Sequence, residues 1–271
     1  MKPAAPDLLA AVTTLPVTVA LLTWNEEANI GRTLASLNWA QRVVLVDSGS
    51  TDATEAIARR FPNVTWHVRP FDDFGGQWTH AFRNTGIATE FVLALDADMA
   101  VSRAFVEELR DVFLPGRFDG GIACFVYQVD GQSLPGSLYP PQLRIFRPGA
   151  VIASQTGHNH EFTLTGRMYR FRHPVYHDDR KVLDRWTHSQ LTYSRQERDR
   201  ILRGGSRGWK DRLRRWGIAP LIVGPYAYLK AGGPFGGAGA VRYALERTTF
   251  EALLAMRFLR KQEMPCDRNQ P

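Results

Sequence analysis

Short runs of apolar residues alternate with amphipathic segments throughout residues 17–114, and this alternation constrains the fold more than any other feature of the chain. The runs are rich in Val and Leu and lack strict alternation with polar residues, which indicates strands covered on both faces. The pattern predicts a parallel sheet between layers of helices. We expect strands at residues 17–22, 42–46, 64–68 and 91–95, and helices at residues 26–37, 52–61, 78–88 and 102–113, the last capped by Ser102.

The sequence changes character after Gly120, where short strands and Pro- or Gly-containing turns follow. Residues 121–129, 142–146 and 167–172 predict additional strands, which makes the sheet mixed. Beyond them we expect a helical tail with a basic helix at about 190–203, an uncharged segment at 216–229 and a closing helix at about 242–262. The closing helix carries an apolar stripe with 4-3-4-3 spacing, formed by Leu245, Thr249, Ala252, Met256 and Leu259.

The composition argues against several classes of protein. Two cysteines, Cys124 and Cys266, form no metal or disulfide framework, so we expect a cytosolic protein. The start of the chain predicts a first buried strand rather than a signal peptide, and no charge-free apolar run approaches the ~20 residues that cross a bilayer. The net charge is +7, and nine basic and three acidic residues lie between Arg195 and Arg215. This one stretch carries +6 of the net charge, so the rest of the chain is nearly neutral and a general nucleic-acid-binding surface is not expected.

Several common motifs are missing from the sequence. No GxGxxG motif follows the first strand, which argues against a dinucleotide-dependent dehydrogenase. The chain also lacks the GxxxxGK[ST] phosphate-binding loop and the HExxH motif of a class of metal-dependent hydrolases. The polar residues that follow the predicted strands are acidic instead.

Two aspartates, Asp96 and Asp98, follow the fourth predicted strand where a turn begins. Alternate residues of an extended segment point the same way, so both carboxylates can face one site. Two carboxylates suit Mg²⁺ or Mn²⁺, which also binds phosphate oxygens; the alternative is a pair of solvated turn residues or a helix cap.

Asp47 follows the second strand, on the sheet edge where α/β proteins bind ligands. With the hydroxyl-rich turn at residues 48–52, it can cap a helix or accept hydrogen bonds from a nucleotide.

Three segments with these residues resemble the amino-terminal half of family 2 inverting glycosyltransferases, which have the GT-A fold: "VALLTWNEEANIGRTLASL", "VVLVDSGSTDAT" and "FRNTGIATEFVLALDADMAV". The later segments "YPPQLRIFRPGA", "GHNHEF", "YHDDRKVLDRWTHSQLTYSRQE" and "YALERTTFEALL" are similar to the bacterial subgroup that includes lipopolysaccharide-core glycosyltransferases. The likeness spans roughly residues 17–260. It implies a GT-A-like α/β/α sandwich with a mixed sheet, which we place at residues 16–190 as the catalytic domain, between an N-terminal tail (1–15) and a helical, membrane-interfacial tail (191–271).

The resemblance also implies roles for individual residues. The positions that match the nucleotide-binding residues of the family are Thr23, Trp24, Glu26, Asp47, Arg83 and Asp96. Asp96 and Asp98 match its DxD motif, and His177 matches a histidine that can complete the metal shell. A bound Mg²⁺ or Mn²⁺ would relieve the repulsion between the two carboxylates and neutralise the leaving nucleoside diphosphate.

Inverting transfer needs a carboxylate base that takes the proton from the acceptor hydroxyl. The best match is Glu161, where the usual Glu-Asp pair of many relatives is replaced by His160-Glu161. Asp178 and Asp179 are the alternatives.

The histidines allow a different hypothesis, a zinc site. His158, His160, His173, His177 and His188 are its candidates. No spaced third ligand is evident, which favours ordinary loop histidines instead.

The basic tail has three interpretations: a solvated helix face, a membrane-docking segment and, third, a nucleic-acid-binding surface. Trp209, Trp216, Tyr226 and Tyr228 flank an apolar, proline-broken stretch directly after the arginines, an order that suits the headgroup region of an anionic membrane.

We therefore expect an inverting glycosyltransferase with a divalent cation, attached peripherally to the cytoplasmic face of a bacterial inner membrane. Its donor is a nucleotide sugar, with a UDP-sugar as the first expectation. Its acceptor is a lipid-linked glycan such as lipopolysaccharide core, and no nucleic acid is a partner. The alternatives are a polyprenyl-phosphate sugar transferase and a non-catalytic nucleotide-sugar-binding scaffold.

Overall fold

The computed structural model describes residues 14–157, 159–204 and 208–260. The chain divides into two compact units, Met1–Gln155 with Asn159–Lys181, and Val182–Pro271 with Thr156–His158. Most of the predicted N-terminal tail, His158 and the end of the predicted closing helix lie outside the described residues.

The first unit is built on β-strands, which are β1 (Leu15–Thr23), β2 (Ala40–Asp47), β3 (Val64–Val68), β4 (Phe91–Asp96), β5 (Met99–Val101), β6 (Gly120–Ala123), β7 (Phe125–Val129), β8 (Gln132–Ser133), β9 (Gln142–Phe146), β10 (Ile152–Thr156), β11 (Asn159–Thr163), β12 (Met168–Arg170) and β13 (Val175–His177). Seven of them form a mixed sheet with the strand order β12-β6-β9-β4-β1-β2-β3. Strands β1 to β4 are mutually parallel and confirm the four strands that the amino-terminal pattern predicts, whereas β9 runs antiparallel between β4 and β6. A four-stranded sheet has the order β5-β13-β7-β8, and β10 and β11 form a pair.

Helices cover both faces of the large sheet. Four are in the first unit, α1 (Ile30–Ala35), α2 (Thr54–Ala58), α3 (Phe74–Arg83) and α4 (Arg103–Glu108), and α4 continues as a π-helical turn over Leu109–Phe113. In β1, Val19 and Leu21 pack into the core cluster that includes Phe105 of α4, whereas Ala20 packs into the cluster that includes Trp78 of α3. These two cores confirm the α/β/α sandwich. The Ser102 hydroxyl accepts a hydrogen bond from the Phe105 amide at 3.1 Å, which confirms the predicted cap.

The expected single strand at residues 121–129 is wrong in one respect. The chain leaves the large sheet at Cys124, so that β6 pairs with β9 while β7 pairs with β13 and β8 in the smaller sheet. A continuous apolar run cannot reveal this change of sheet, because both halves have buried residues.

The second unit is helical: α5 (Leu183–Arg203), α6 (Trp209–Arg215), α7 (Ala219–Lys230) and α8 (Gly237–Leu259). None of the helices in the described part of the chain is long and apolar enough to span a membrane. The predicted apolar stripe of α8 does not face the core, since Leu245 and Leu259 are more than 60% exposed while Phe250 and Leu254 are buried. The helix has two apolar faces, and periodicity alone does not show which one is covered.

An ion-pair network lies inside the helical unit. Arg200 and Arg214 both bond to Glu197, Arg200 also pairs with Asp211 at 2.8 Å, and Arg214 pairs with Glu251 at 2.6 Å. Two arginines of the basic stretch are therefore held by internal carboxylates. Breaking such a pair by removing one partner costs about 3–5 kcal/mol.

Candidate active site

The carboxyl ends of three neighbouring strands place the predicted nucleotide-binding residues at one sheet edge. In the parallel ladders, Thr23 stands opposite Asp47 and Leu22 stands opposite Asp96. Thr23 and Asp47 are buried, and within the described part of the chain the Thr23 hydroxyl oxygen has no hydrogen-bond partner. The strand register therefore brings together residues that lie 24 and 73 positions from Thr23 in the chain.

Two loops at this edge are tied to each other. The Asn25 amide donates to the Ser50 hydroxyl at 2.6 Å, and the Asn25 side-chain oxygen accepts from the Thr51 amide at 2.6 Å. The Asp47 carboxylate accepts from the amides of Gly49 and Ser50 at 2.9 and 2.8 Å. Asp47 thus holds its own turn, whereas the N-cap position of α2 is occupied by Ala53.

The second aspartate of the DxD motif lies against His177. Strand β13 pairs antiparallel with β5, and this register sets His177 opposite Met99. The His177 Nε2 atom is 3.3 Å from the Asp98 carboxylate, and the Asp178 amide donates to the Asp98 carbonyl at 3.0 Å. Both side chains are largely buried, and the Asp98 Oδ1 and His177 Nδ1 atoms have no hydrogen-bond partner among the residues that the structure describes. Two ligating atoms are thus available in a polar, enclosed corner.

Charge holds this pair together despite its burial. Desolvation by itself would raise the pKa of Asp98, but the charge and hydrogen bond of His177 and the charge of Lys181 lower that pKa far below its ordinary value. Desolvation would likewise lower the pKa of His177, but Asp98 raises it above the ordinary value. The two groups therefore favour an ion pair when no cation is bound.

The first aspartate is held by an arginine that the sequence analysis missed. The guanidinium of Arg144 on β9 is fully buried and donates to Asp96 at 3.1 Å, to the Tyr139 hydroxyl at 3.3 Å and to the His160 Nε2 atom at 3.0 Å. Desolvation lowers the pKa of His160 to about 4, so His160 is neutral and accepts from Arg144. In the sequence, Arg144 is one ordinary residue of an apolar strand, and only the antiparallel pairing of β9 with β4 places it beside Asp96.

A buried lysine forms a second cluster at the same edge. The Lys181 Nζ atom is 2.8 Å from Glu26 and 3.1 Å from Asp179. The side-chain Nδ2 atom of Asn29 donates to the same two carboxylates at 2.9 and 3.0 Å. Burial raises the pKa of Glu26 to about 7; Lys181 opposes this increase and Asp98 adds to it. The segment after β13 is thereby clamped to the loop after β1. Nothing in the sequence pattern marked Lys181 or Asn29.

The structure places the three candidate bases in different surroundings. Glu161 is exposed on β11, whereas the neighbouring His160 and Phe162 rings both contact Trp78. Alternate residues of a strand point to opposite faces, so the backbone of Glu161 lies next to the Arg144 cluster while its side chain points away from the His160 face.

The two alternative bases are engaged by cations. Asp178 is buried and pairs with Arg180 at 2.7 Å, while Arg32 donates to its carbonyl at 2.6 Å. Asp179 bonds to Lys181. Both carboxylates already accept hydrogen bonds from charged neighbours.

The two remaining predicted residues are Trp24 and Arg83. Trp24 is half-exposed at the end of β1. Arg83 ends α3, and its guanidinium donates to the Gly149 carbonyl at 3.1 Å. The carbonyl of Gly86, just beyond it, accepts from Arg42 near the start of β2, so Arg83 is near the amino edge of the sheet rather than beside Asp96.

The donor set fits a hard divalent cation only in part. Asp98 and His177 offer a carboxylate and an imidazole with unsatisfied atoms, which are ligand types that Mn²⁺ accepts. Within residues 14–157, 159–204 and 208–260, no group of three or more His, Cys, Asp and Glu side chains is arranged as a metal site. A cation held here therefore needs further ligands from the substrate or from water. This finding also gives no support to the zinc alternative: His173 bonds Glu108, and His188 lies on α5.

Comparison with known proteins defines the family. The sequence profile described as "Glycosyl transferase family 2" matches residues 18–200, which is more than half of the chain. The chain belongs to glycosyl transferase family 2. It is therefore a glycosyltransferase, as the resemblance implied, and the matched region includes the whole candidate site.

Individual relatives are more distant. A Rhizobium meliloti protein named "Lipopolysaccharide core biosynthesis glycosyltransferase LpsC" is 30% identical over 102 residues, which cover 36% of this chain and only 37% of LpsC. An "Uncharacterized glycosyltransferase" from Rickettsia felis is 23% identical over 209 residues, 70% of this chain and 72% of its own.

Two solved structures align over much of the chain. TarS residues 1–349 from S. aureus, in complex with UDP-GlcNAc, aligns with a TM-score of 0.47 and 13% identity over 89% of this chain and 90% of that one. Glucosyl-3-phosphoglycerate synthase from Mycobacterium tuberculosis, in complex with Mn²⁺, UDP and phosphoglyceric acid, aligns with a TM-score of 0.44 and 17% identity over 72% of this chain and 80% of that one.

Proposed function

We propose that this glycosyltransferase moves a sugar from a nucleoside-diphosphate donor, with UDP as the nucleotide, to a hydroxyl of a lipid-linked glycan, with inversion at the anomeric carbon. The observation that carries the proposal is the register that collects Thr23, Asp47 and Asp96 at one sheet edge, together with the Asp98–His177 pair beside them. Parallel α/β sheets bind their ligands at this edge.

Electrostatics favours a divalent cation as part of the donor complex. A diphosphate that approaches Asp98 meets a buried carboxylate, and two like charges 4 Å apart repel by about 4 kcal/mol at an effective dielectric constant of 20. Arg144 and Lys181 already pair with Asp96 and Glu26, respectively. Asp98 and His177, whose carboxylate and Nε2 atoms face each other at 3.3 Å, would hold Mg²⁺ or Mn²⁺, and the cation would neutralise the leaving diphosphate when bound.

The chain's own residues account for positioning. Arg144 fixes one oxygen of Asp96, so that the carboxylate presents its other oxygen from a single orientation. Asp47 shapes the turn at Gly49 and Ser50, and Trp24 offers a half-exposed ring to a base. Glu161 remains the proposed base on the family resemblance, and its exposed side chain lies on the face of β11 opposite to His160.

The acceptor is proposed from weaker support. The partial likeness to LpsC favours a lipopolysaccharide-core acceptor on the cytoplasmic face of a bacterial inner membrane. We assign donor binding and catalysis to residues 16–190 and membrane attachment to residues 191–271. Transfer to polyprenyl phosphate is distinguished by a product that moves into organic solvent when that lipid is the acceptor.

The test is donor turnover by purified protein with UDP-sugars, with Mn²⁺ or with a chelator, measured as release of UDP. We expect activity that needs the cation and is lost in Glu161→Gln, with nucleotide binding unchanged in that variant. Glu90→Gln, which changes another exposed glutamate that pairs with Arg147, serves as the matched control. Full activity of Glu161→Gln would assign the base to another residue, and absence of donor binding under all conditions would refute the proposed donor class.

A further inference from the structure

Helix α7 presents its large apolar side chains to solvent. Leu221, Ile222, Pro225, Tyr226 and Leu229 are all exposed, and Leu221 and Leu229 have exposed fractions of 77% and 67%. Their spacing places them on one face of the helix. The apolar stripe of a helix in a water-soluble protein normally faces the core. In α7 this arrangement is reversed.

The covered face of α7 consists of small residues. Ala219, Gly224 and Ala227 are its buried residues, and α7 packs along α8. A Cβ atom on Gly224 would lie 2.2 Å from the hydroxyl oxygen of Thr248, so glycine permits the close approach of the two helices. Small residues between helices and large apolar residues outside are typical of helix pairs surrounded by lipid.

The exposed apolar surface continues beyond α7. Phe235, in the turn between α7 and α8, is 97% exposed, and Val241 and Leu245 on α8 are exposed as well. At the other end of the helix pair, the exposed side chain of Leu259 lies beside Gly217. Large apolar side chains exposed in such number along one helix pair are typical of an interaction surface.

The charges around this surface have one sign. Within the described residues 208–260, the exposed charged side chains are all basic: Lys210, Arg212, Arg215, Lys230 and Arg260. The carboxylates of the same segment, Asp211, Glu246 and Glu251, are each engaged by an arginine of this unit. Trp209 and Trp216 are more than half exposed beside the basic residues of α6. A second copy of the chain would bring like charges together, whereas an anionic lipid surface complements them.

We propose that α6, α7 and α8 form a membrane-binding surface whose partner is an anionic bilayer. The outer stripe of α7 lies in the boundary between headgroups and acyl chains, and the basic residues contact lipid phosphates. With 12 residues, α7 is about 18 Å long and cannot cross a hydrocarbon core of about 30 Å. The inference rests on the proposed function and names its attachment surface. Vesicle binding is measured without donor or acceptor, so the membrane proposal and the proposed sugar transfer can fail independently.

The test is flotation of the full chain with vesicles of phosphatidylethanolamine and phosphatidylglycerol, compared with vesicles of phosphatidylcholine alone. The double variant Leu221→Gln/Leu229→Gln should reduce partitioning into the anionic vesicles by at least tenfold, because each leucine contributes about tenfold when its apolar area leaves water. The control Val68→Gln/Ile152→Gln removes two equally exposed apolar side chains of the first unit and should leave partitioning unchanged. Lys210→Gln/Arg215→Gln should weaken binding and reduce its salt dependence.

Thermal unfolding of each variant shows that the protein still folds, which we expect because all substituted side chains are exposed. Equal partitioning of the Leu221/Leu229 variant and the wild type would overturn the proposal. So would a concentration-dependent dimer, measured without lipid, that the same two substitutions abolish, because the surface would then bind a second copy of the chain.

Discussion

Replacement of Arg144 by methionine tests the architecture of the candidate site. The guanidinium is 1% exposed and donates to Asp96, Tyr139 and His160. Removing one partner from a buried ion pair costs about 3–5 kcal/mol, but the Asp96 side chain is 32% exposed and water can hydrate it once Arg144 is gone. We therefore expect a loss of about 2–4 kcal/mol in the free energy of unfolding, which lowers Tm by about 5–15 °C.

The matched control is Arg147→Met, three residues further along. Arg147 pairs with Glu90 and Asp119, but its side chain is 40% exposed, and exposed ion pairs contribute about 0–1 kcal/mol. Urea unfolding followed by circular dichroism measures both variants, and UDP-sugar titration measures the donor Kd. Arg144→Met should also weaken donor binding at least tenfold, because Asp96 loses its fixed orientation. Equal losses of stability in the two variants, or unchanged donor affinity in Arg144→Met, would refute this account of the site.

Three further predictions concern the first unit. Hydrogen bonds from Tyr169 and the backbone amides of Arg172 and His173 outweigh desolvation and lower the pKa of Glu108 below its ordinary 4.5. This stabilisation is present above that pH and is lost as pH falls through the lowered pKa, so the stability gap between wild type and Glu108→Gln should shrink in urea titrations below pH 4.5. Ser102→Ala should cost about 1 kcal/mol in the same assay, and no loss would mean that its cap is dispensable. Glu108→Gln should leave UDP binding unchanged, measured by calorimetry.

The alternation of apolar runs and amphipathic helices was sufficient to predict β1 to β4 and their parallel orientation. Each strand of a parallel sheet covered on both faces has a continuous apolar run, which is visible in the local sequence. The same strands end in Thr23, Asp47 and Asp96, so their meeting at one edge could also be predicted. Helix α4 begins where its capping serine predicted.

The rest of the site depends on pairings without a local signature. Arg144 and His177 reach the aspartates through antiparallel neighbours, β9 beside β4 and β13 beside β5. Lys181 meets Glu26 only because the segment after β13 folds onto the loop after β1. In α8, periodicity identified an apolar stripe with Leu245 but could not show that another face is covered.

The most direct test of the central claim is calorimetric titration of UDP-sugars into wild type and Asp98→Asn, with Mn²⁺ and with a chelator. Asp111→Asn is the control, because Asp111 is an exposed aspartate that pairs with its neighbour Arg110. We predict that wild type and Asp111→Asn bind a UDP-sugar in the presence of Mn²⁺, and that the chelator or Asp98→Asn weakens binding at least tenfold. Cation-independent binding that Asp98→Asn leaves intact would contradict the assignment of the Asp98–His177 pair as the cation-binding corner of the donor site.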